Sequence, residues 1–129
     1  MTDKIRQEKR QHIINDWFQA WHQPDWANFE QIFDTEVYYS ECWGPEYQGI
    51  SQVKTWFKHW HSKSKLLVWE ITAIHHVQAH TFVTWHFACQ SDHKTIAFEG
   101  LSDIQWTGLK VKLVKEYSSQ LPKYNPVAQ

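Results

Sequence analysis

Glu41 is the residue whose type and position first suggest chemistry. It lies in the stretch YYSECWGPEYQG, residues 38–49, at the end of an otherwise apolar strand and two residues before Trp43. An acid surrounded by aromatic rings loses its hydration, and its pKa then rises toward the range useful for proton transfer. The alternatives are a partly exposed acid on an edge strand, or one that accepts a hydrogen bond from a core indole N–H. The stretch therefore poses a choice between a proton-transfer group and a structural acid.

Nine histidines and two cysteines are the other side chains with reactive potential. His59 and His61 lie at a helix end, whereas the adjacent His75 and His76 point to opposite faces of a strand and cannot easily share a metal. Cys89 has no identifiable activating partner. The sequence also lacks a GxSxG elbow, a glycine-rich phosphate loop and a CxxC pair. We therefore expect neither a metal site nor a cofactor.

Length and charge bound the class of protein. The 129 residues are the size of one domain, 1–129, with a charged extension of the first helix over about 1–12 and an irregular tail over about 119–129. Thirteen basic and fourteen acidic side chains give a net charge of −1, which provides no basic field for nucleic acid or anionic lipid. No apolar run is long enough to span a membrane, and the polar N-terminus does not resemble a secretory signal. We expect a cytoplasmic protein with reduced thiols and with no nucleic-acid or membrane partner.

Two hydrophobic periodicities divide the chain. Apolar residues recur at helical spacing over residues 3–22, after Pro24, and from about 51 to 60. Asp25 is expected at the start of the second helix, whose buried face would extend to Phe33. From Leu66 onward the period is two, which predicts strands over 68–76, 82–89, 95–106 and 110–117, joined by polar turns that suit an antiparallel sheet. Helices segregated from such a sheet predict an α+β fold.

The sequence resembles the nuclear transport factor 2-like superfamily, which includes SnoaL-like polyketide cyclases and ketosteroid isomerases. Four segments carry the resemblance: FDTEVYYSECWGPEYQG, ISQVKTWFKHW, FEGLSDIQW and LKVKLVKEY. It covers about Ile13 to Tyr117 and implies a cone, in which N-terminal helices pack in the concave face of a strongly curved antiparallel sheet. Members include isomerases, cyclases, dehydratases, hydrolases and binding proteins, so the resemblance identifies the fold better than the activity.

The same resemblance implies candidate catalytic residues. Glu41 falls where ketosteroid isomerases have their general-base aspartate, and it would then point into the cone, with Trp43 on the same wall. Trp17 falls at the position of the oxyanion tyrosine, and Ser102 at that of a protonated aspartate. Both can donate a hydrogen bond, but they are weaker donors than the groups they replace. The resemblance thus implies proton transfer by Glu41, with chemistry other than that of a standard ketosteroid isomerase.

The resemblance also implies an aromatic cavity with one or two acids. Gly100 and Ser102 are small residues among large ones, which would leave room for a ligand on the concave face. Glu116 would be the second acid, although Lys112 belongs to the same alternating set and a solvated face is the alternative. The residues expected to line the ligand site are Trp21, Trp43, Tyr47, Trp56, Trp60, Trp85, Phe87, Phe98, Trp106 and Glu116.

Two functions remain open at this point. One is a domain that binds a small apolar or aromatic molecule and acts as an isomerase, cyclase or dehydratase with Glu41 as general base. The other is a non-catalytic ligand-binding or interaction domain, whose nine tryptophans fill the core. A homodimer through the convex sheet face is also expected, because Val111 and Leu113 are apolar residues predicted to point outward.

Overall fold

A computed structural model describes the chain over residues 1–128. All three helices lie in its N-terminal half. Thr2 caps the first helix by accepting a hydrogen bond from the Ile5 N–H, and Asp25 caps the second by accepting one from the Asn28 N–H. In the part of the chain described, no helix is both long and apolar enough to cross a membrane. The helices are α1 Asp3–His22, α2 Trp26–Glu30 and α3 Ile50–Lys63.

Six strands form one curled, open sheet in the order β2-β1-β6-β5-β4-β3. Together with the N-terminal helices, this sheet confirms the predicted α+β cone. The four long strands follow the predicted period of two except at irregularities in the first and the last of them, whereas Phe33, expected in the second helix, begins the first strand. The strands are β1 Phe33–Ser40, β2 Glu46–Gln48, β3 Ser64–Val77, β4 His80–Ser91, β5 Lys94–Thr107 and β6 Lys110–Gln120.

One strand pairing departs from the antiparallel expectation. β1 and β6 run parallel, whereas every other neighbouring pair in the sheet is antiparallel. In this register Tyr39 lies opposite Val114, and Ser40 lies opposite Lys115. The parallel pairing therefore carries the end of β1, where Glu41 follows, alongside Glu116 on β6.

Aromatic side chains of the helices pack against the concave face of the sheet. Trp17 and Ile14 of α1 are fully buried. Phe18 stacks on Trp69 of β3, with ring centroids 3.9 Å apart, and Trp21 packs against Trp56 of α3 at 4.9 Å. Each large ring buries extensive apolar surface, and such pairs add a further contribution from their geometry. The core is thus built mainly of rings from both layers.

A bulge in β6 overturns one prediction about the convex face. Gln105 pairs with Leu113 but Trp106 pairs with Val111, so Lys112 is an extra residue in the ladder. The bulge reverses the alternation of side chains along the strand. Val111 is consequently fully buried, and its predicted outward position is wrong. Lys112 is exposed and does not share the inward face of Glu116.

Candidate functional site

A narrow aromatic cavity lies beside Glu41, where the helices meet the concave face of the sheet. The cavity volume is about 40 Å³. This is room for about three water molecules. All empty space between the wall atoms, including the part open to solvent, is about 450 Å³. The wall consists of Trp21, Tyr39, Glu41, Cys42, Trp43, Trp56, Trp60, Trp69, Trp85, Phe87, Phe98 and Glu116.

Glu41 is held by the tight connection that follows β1. Its backbone N–H donates a hydrogen bond to the Pro45 carbonyl at 2.9 Å. Gly44 closes this connection with a φ of 116°, a conformation that side chains other than glycine rarely adopt. The Tyr47 hydroxyl of β2 donates to Glu41 Oε2 at 2.8 Å, and the Tyr47 ring stacks on Trp56 with centroids 4.9 Å apart. The β1–β2 hairpin therefore fixes the carboxylate at the cavity.

Burial raises the pKa of the Glu41 carboxyl above its ordinary value. Hydrogen-bonding interactions with Tyr47, Trp43 and Trp56 favour the ionised form and lower the pKa in part. In its ionised form, a carboxylate whose pKa is raised is a stronger base than an exposed carboxylate. Glu41 is thus suited to accept a proton.

Glu116 is the second acid of the cavity and is held differently. Its Oε2 accepts a hydrogen bond from the Tyr39 hydroxyl at 2.7 Å. Burial raises the pKa of Glu116 to about 8, and the negative charge of Glu41 contributes to the rise, while the Tyr39 hydrogen bond opposes it. Glu116 therefore keeps its proton at neutral pH beside an ionised Glu41. Two acids separated in this way act as one coupled acid–base pair.

The two tyrosines remain neutral donors throughout the physiological range. Burial raises the pKa of Tyr39 well above its ordinary value, and the charge of Glu116 raises it further. Burial and the Glu41 carboxylate likewise raise the pKa of Tyr47. Both phenols consequently hold the carboxyl groups in place without competing with them for proton transfer.

The structure brings most of the predicted site residues to one cavity wall. Tyr47 lies just behind the wall, as the hydrogen-bond donor to Glu41. Trp43 is at the mouth, 55% exposed, with its ring 6.5 Å from that of Phe98. The predicted residues on the wall are Trp21, Glu41, Trp43, Trp56, Trp60, Trp85, Phe87, Phe98 and Glu116.

Besides Tyr47, three predicted site residues lie outside the cavity wall. Trp17 is fully buried, with its ring packed edge-on at 5.3 Å from that of Phe33. The Ser102 hydroxyl is also buried and accepts a hydrogen bond from Trp85 Nε1 at 2.9 Å. Trp106 donates to Thr81 Oγ1 elsewhere in the core. Neither Trp17 nor Ser102 therefore lies on the wall of this cavity.

The small residues of β5 make room for Trp85 and not for a ligand. A Cβ atom on Gly100 would lie 2.4 Å from Trp85 Cη2 and 2.4 Å from the Tyr117 carbonyl oxygen. The indole therefore passes directly over the glycine and reaches Ser102. The expected space at Gly100 and Ser102 is occupied by this one side chain, and the cavity is displaced toward the Glu41 end of the sheet.

Three residues of the cavity wall were not predicted from the sequence. Tyr39 is two residues after Val37 and two before Glu41, so the period of two places all three on one face and could have predicted that Tyr39 points inward. Cys42 lies in the turn after β1, where alternation no longer applies. Trp69 lies between two irregularities of β3, after Leu66 and after Ile71, which disrupt the alternating pattern. The alternation thus carried a usable signal for Tyr39 alone.

Metal ligands do not converge at this site or elsewhere within residues 1–128. No group of three or more His, Cys, Asp or Glu side chains in that range is arranged to hold an ion. The two acids of the cavity instead have tyrosine hydroxyls as their partners.

Solved structures share this fold at low sequence identity. A Catenulispora acidiphila protein with a ketosteroid isomerase-like fold, solved in complex with trimethylamine, has a TM-score of 0.74 and 15% identity, covering 84% of this chain and 85% of its own. An LEH-like epoxide hydrolase of M. tuberculosis has a TM-score of 0.78 and 11% identity, covering 87% and 84%. A Xanthomonas campestris protein of unknown function with a cystatin-like fold has a TM-score of 0.73 and 13% identity, covering 86% of this chain and 91% of its own. At such identities the likeness shows the fold alone.

Sequence comparison identifies the family without identifying an activity. No curated protein matches the chain. The family model of the SnoaL-like domain matches residues 14–111, which is most of the sequence. The chain therefore belongs to the SnoaL-like domain family, within the nuclear transport factor 2-like superfamily.

Proposed function

We propose that this protein binds a small molecule in the aromatic cavity and transfers protons on it, with Glu41 as base and Glu116 as acid. The observation that carries the proposal is the pair itself: two carboxyl groups on one apolar cavity wall, with a pKa of about 8 for Glu116. Pairs of acids whose environments separate their protonation states are typical of acid–base catalysis. This assignment replaces Trp17 and Ser102 by Glu116 as the group that stabilises developing charge.

The proposed reaction begins with a proton on the carbon next to a carbonyl. The Glu41 carboxylate accepts this proton, and the electron pair of the C–H bond forms the new carbon–carbon double bond of an enol. The carbonyl oxygen takes up the displaced pair and receives the proton of Glu116. In a substrate with a carbon–carbon double bond conjugated to the enol, Glu41 gives its proton to the far carbon while the enol O–H returns its proton to Glu116, which re-forms the carbonyl and gives an isomer. In a cyclisation, the enol carbon attacks a second carbonyl carbon of the same molecule, Glu41 protonates the oxygen of that carbonyl, and the enol O–H again returns its proton to Glu116. Both outcomes use the same two side chains.

The solved relatives are consistent with small-molecule chemistry in this fold. The M. tuberculosis protein is an LEH-like epoxide hydrolase, and the Catenulispora protein was solved in complex with trimethylamine. The limited space of about 40 Å³ beside Glu41 favours a compact ligand over a large one. These similarities support a small substrate and leave its chemical identity to experiment.

Hydrogen–deuterium exchange on carbon tests the proposed base directly. Small carbonyl compounds are incubated with the protein in D₂O, and loss of the α-proton signal is followed by NMR. Glu41→Gln should reduce exchange at least about 100-fold, because base catalysis contributes about that much or more. Glu46→Gln is the matched control, since Glu46 also accepts a hydrogen bond from a tyrosine of β1 but is exposed and outside the cavity wall. Equal exchange in both variants would remove Glu41 from the reaction.

A non-catalytic binding protein is the second candidate. It is favoured by the narrowness of the cavity and by the positions of Trp17 and Ser102, which lie outside its wall. In that case, tryptophan fluorescence would respond to a ligand, the response would be lost in Trp43→Ala, and no α-proton would exchange. We further propose that the protein is a homodimer and that it is cytoplasmic. In the cytoplasm the free thiols of Cys42 and Cys89 would remain reduced.

A further inference from the structure

We propose that the ligand of this cavity is a small organic cation, specifically a methylated ammonium or amine compound. The inference rests on the proposed function, since it names the ligand class of the same cavity. It follows from a juxtaposition of aromatic rings with two acids in a wall that contains no basic side chain. Such a wall offers attraction to a positive charge from two independent sources.

The rings around the cavity form a cage and not a single stack. Nine of the twelve wall residues are aromatic. Phe87 and Phe98 are stacked at 4.8 Å, whereas Trp69 lies at 83° to Phe87 and Trp85 at 65° to Phe98. Rings at such steep angles present faces and edges in several directions. A ring face attracts a cation within about 6 Å of its centroid, and quaternary ammonium ligands are recognised by cages of this kind.

The charge of the wall has the matching sign. Glu41 contributes a negative charge, the protonated Glu116 contributes an uncharged acid, and none of the twelve wall residues is Lys, Arg or His. Their direct partners are the neutral hydroxyls of Tyr47 and Tyr39. A buried carboxylate is stabilised most strongly by a positive charge nearby. The chain supplies none in this wall, so a bound cation would complete the site.

Other classes of ligand fit less well. An anion would meet two acids, and a neutral apolar molecule would displace water from carboxyl groups without compensating them. A hard metal ion requires several oxygen ligands, and no cluster of three or more potential ligands occurs within residues 1–128. A methylated ammonium has a low-density charge and apolar methyl groups, so it suits both the rings and the acids.

A pair of isosteric probes separates the charge from the shape of the ligand. Choline and 3,3-dimethylbutan-1-ol differ in a single atom of the branched centre, N⁺ in one and C in the other. Both are titrated into the full chain, with binding followed by calorimetry and by tryptophan fluorescence. Choline should bind at least about tenfold more tightly, because a cation–π contact in a desolvated site contributes that much.

Variants assign the preference to the cage and the acids. Glu41→Gln should weaken choline binding about tenfold or more while leaving the neutral alcohol unchanged, and Glu46→Gln should affect neither probe. Trp43→Leu should also lower the preference for choline over the alcohol. Because Trp43 is exposed, this variant should still fold. Trp26→Leu is the tryptophan control, because Trp26 is outside the cavity wall.

The outcomes distinguish this inference from the proposed function. Equal or tighter binding of the alcohol, with the response still dependent on Trp43, would overturn the cationic ligand and leave a small-molecule site in place. Failure of both probes to bind would overturn the cationic ligand as well. The exchange of α-protons in D₂O, measured separately, then decides the proposed function.

Discussion

Replacing Glu116 by Gln should change how the stability of the protein depends on pH. The folded protein raises the pKa of this carboxyl from the ordinary 4.5 to about 8, chiefly through burial. The glutamine side chain is neutral at every pH and can still accept the hydrogen bond of Tyr39. The variant therefore removes one ionisation while preserving the size and the main contact of the side chain.

The sign of the effect follows from which state holds the proton. Between pH 4.5 and about 8 the unfolded Glu116 has lost its proton while the folded one retains it, so the free energy of unfolding falls as the pH rises. Each pH unit in this window corresponds to about 1.4 kcal/mol. Over the whole window the wild type loses about 5 kcal/mol relative to Glu116→Gln. A small domain has a stability of about 5 to 15 kcal/mol, so the difference is measurable.

Urea unfolding followed by tryptophan fluorescence at pH 5 to 9 provides the measurement. Tyr39, Glu41, Cys42 and Tyr47 also face Glu116 and are present in both proteins, so the difference between the two curves reports the ionisation of Glu116 together with its coupling to these groups. Glu36→Gln, at an exposed position of β1, should run parallel to the wild type. A difference between Glu116→Gln and wild type that stays constant from pH 5 to 9 would refute the buried, protonated acid.

Three further predictions concern packing and assembly. Gly100→Ala should lower the free energy of unfolding by about 1 to 3 kcal/mol, because the new Cβ would lie 2.4 Å from both Trp85 and the Tyr117 carbonyl. Thermal unfolding measures this loss, and an unchanged midpoint would contradict the close approach. Ser102→Ala should lower the free energy of unfolding by about 1 to 3 kcal/mol, because it leaves Trp85 Nε1 without its hydrogen-bond acceptor. The variant should keep any α-proton exchange that the wild type shows, and loss of that exchange would support a catalytic role for Ser102. Phe82 alternates along β4 with the buried Thr81 and Val83, so it points to the convex face. Sedimentation velocity should find a dimer that Phe82→Glu converts to a monomer, and a monomeric wild type would disprove that interface.

Periodicity predicted the main elements of the fold because it reflects burial directly. The spacing of Ile14, Trp17 and Trp21 gave the helix α1, and the structure confirms it over Asp3–His22. The hairpin strand β2 was not predicted, since three residues are too few to establish a period of two. The parallel pairing of β1 with β6 was not readable either, because it joins segments that are distant in the sequence and share no turn.

The site was predicted in part, for a reason that concerns depth within the sheet. Alternation shows which face of a strand is inward, and it placed Phe98, Ser102 and Trp106 together on the concave side. It does not show where along that face an empty space remains. Phe98 lies at the cavity end of β5, whereas Ser102 and Trp106 lie farther along the strand, under large rings. The position of a cavity depends on the sizes of all facing side chains together.

The parallel pairing of β1 with β6 also has a consequence for how the protein folds. Tyr39 and Glu116, which are hydrogen-bonded, are 77 positions apart in the chain. Contacts between such distant segments form after local hairpins, because closing a long loop carries an entropic penalty. We therefore expect the β3–β4–β5 meander to assemble before Tyr39 and Glu116 come together. A chain cut short before β6 would lack Glu116 together with the strand that pairs with the end of β1.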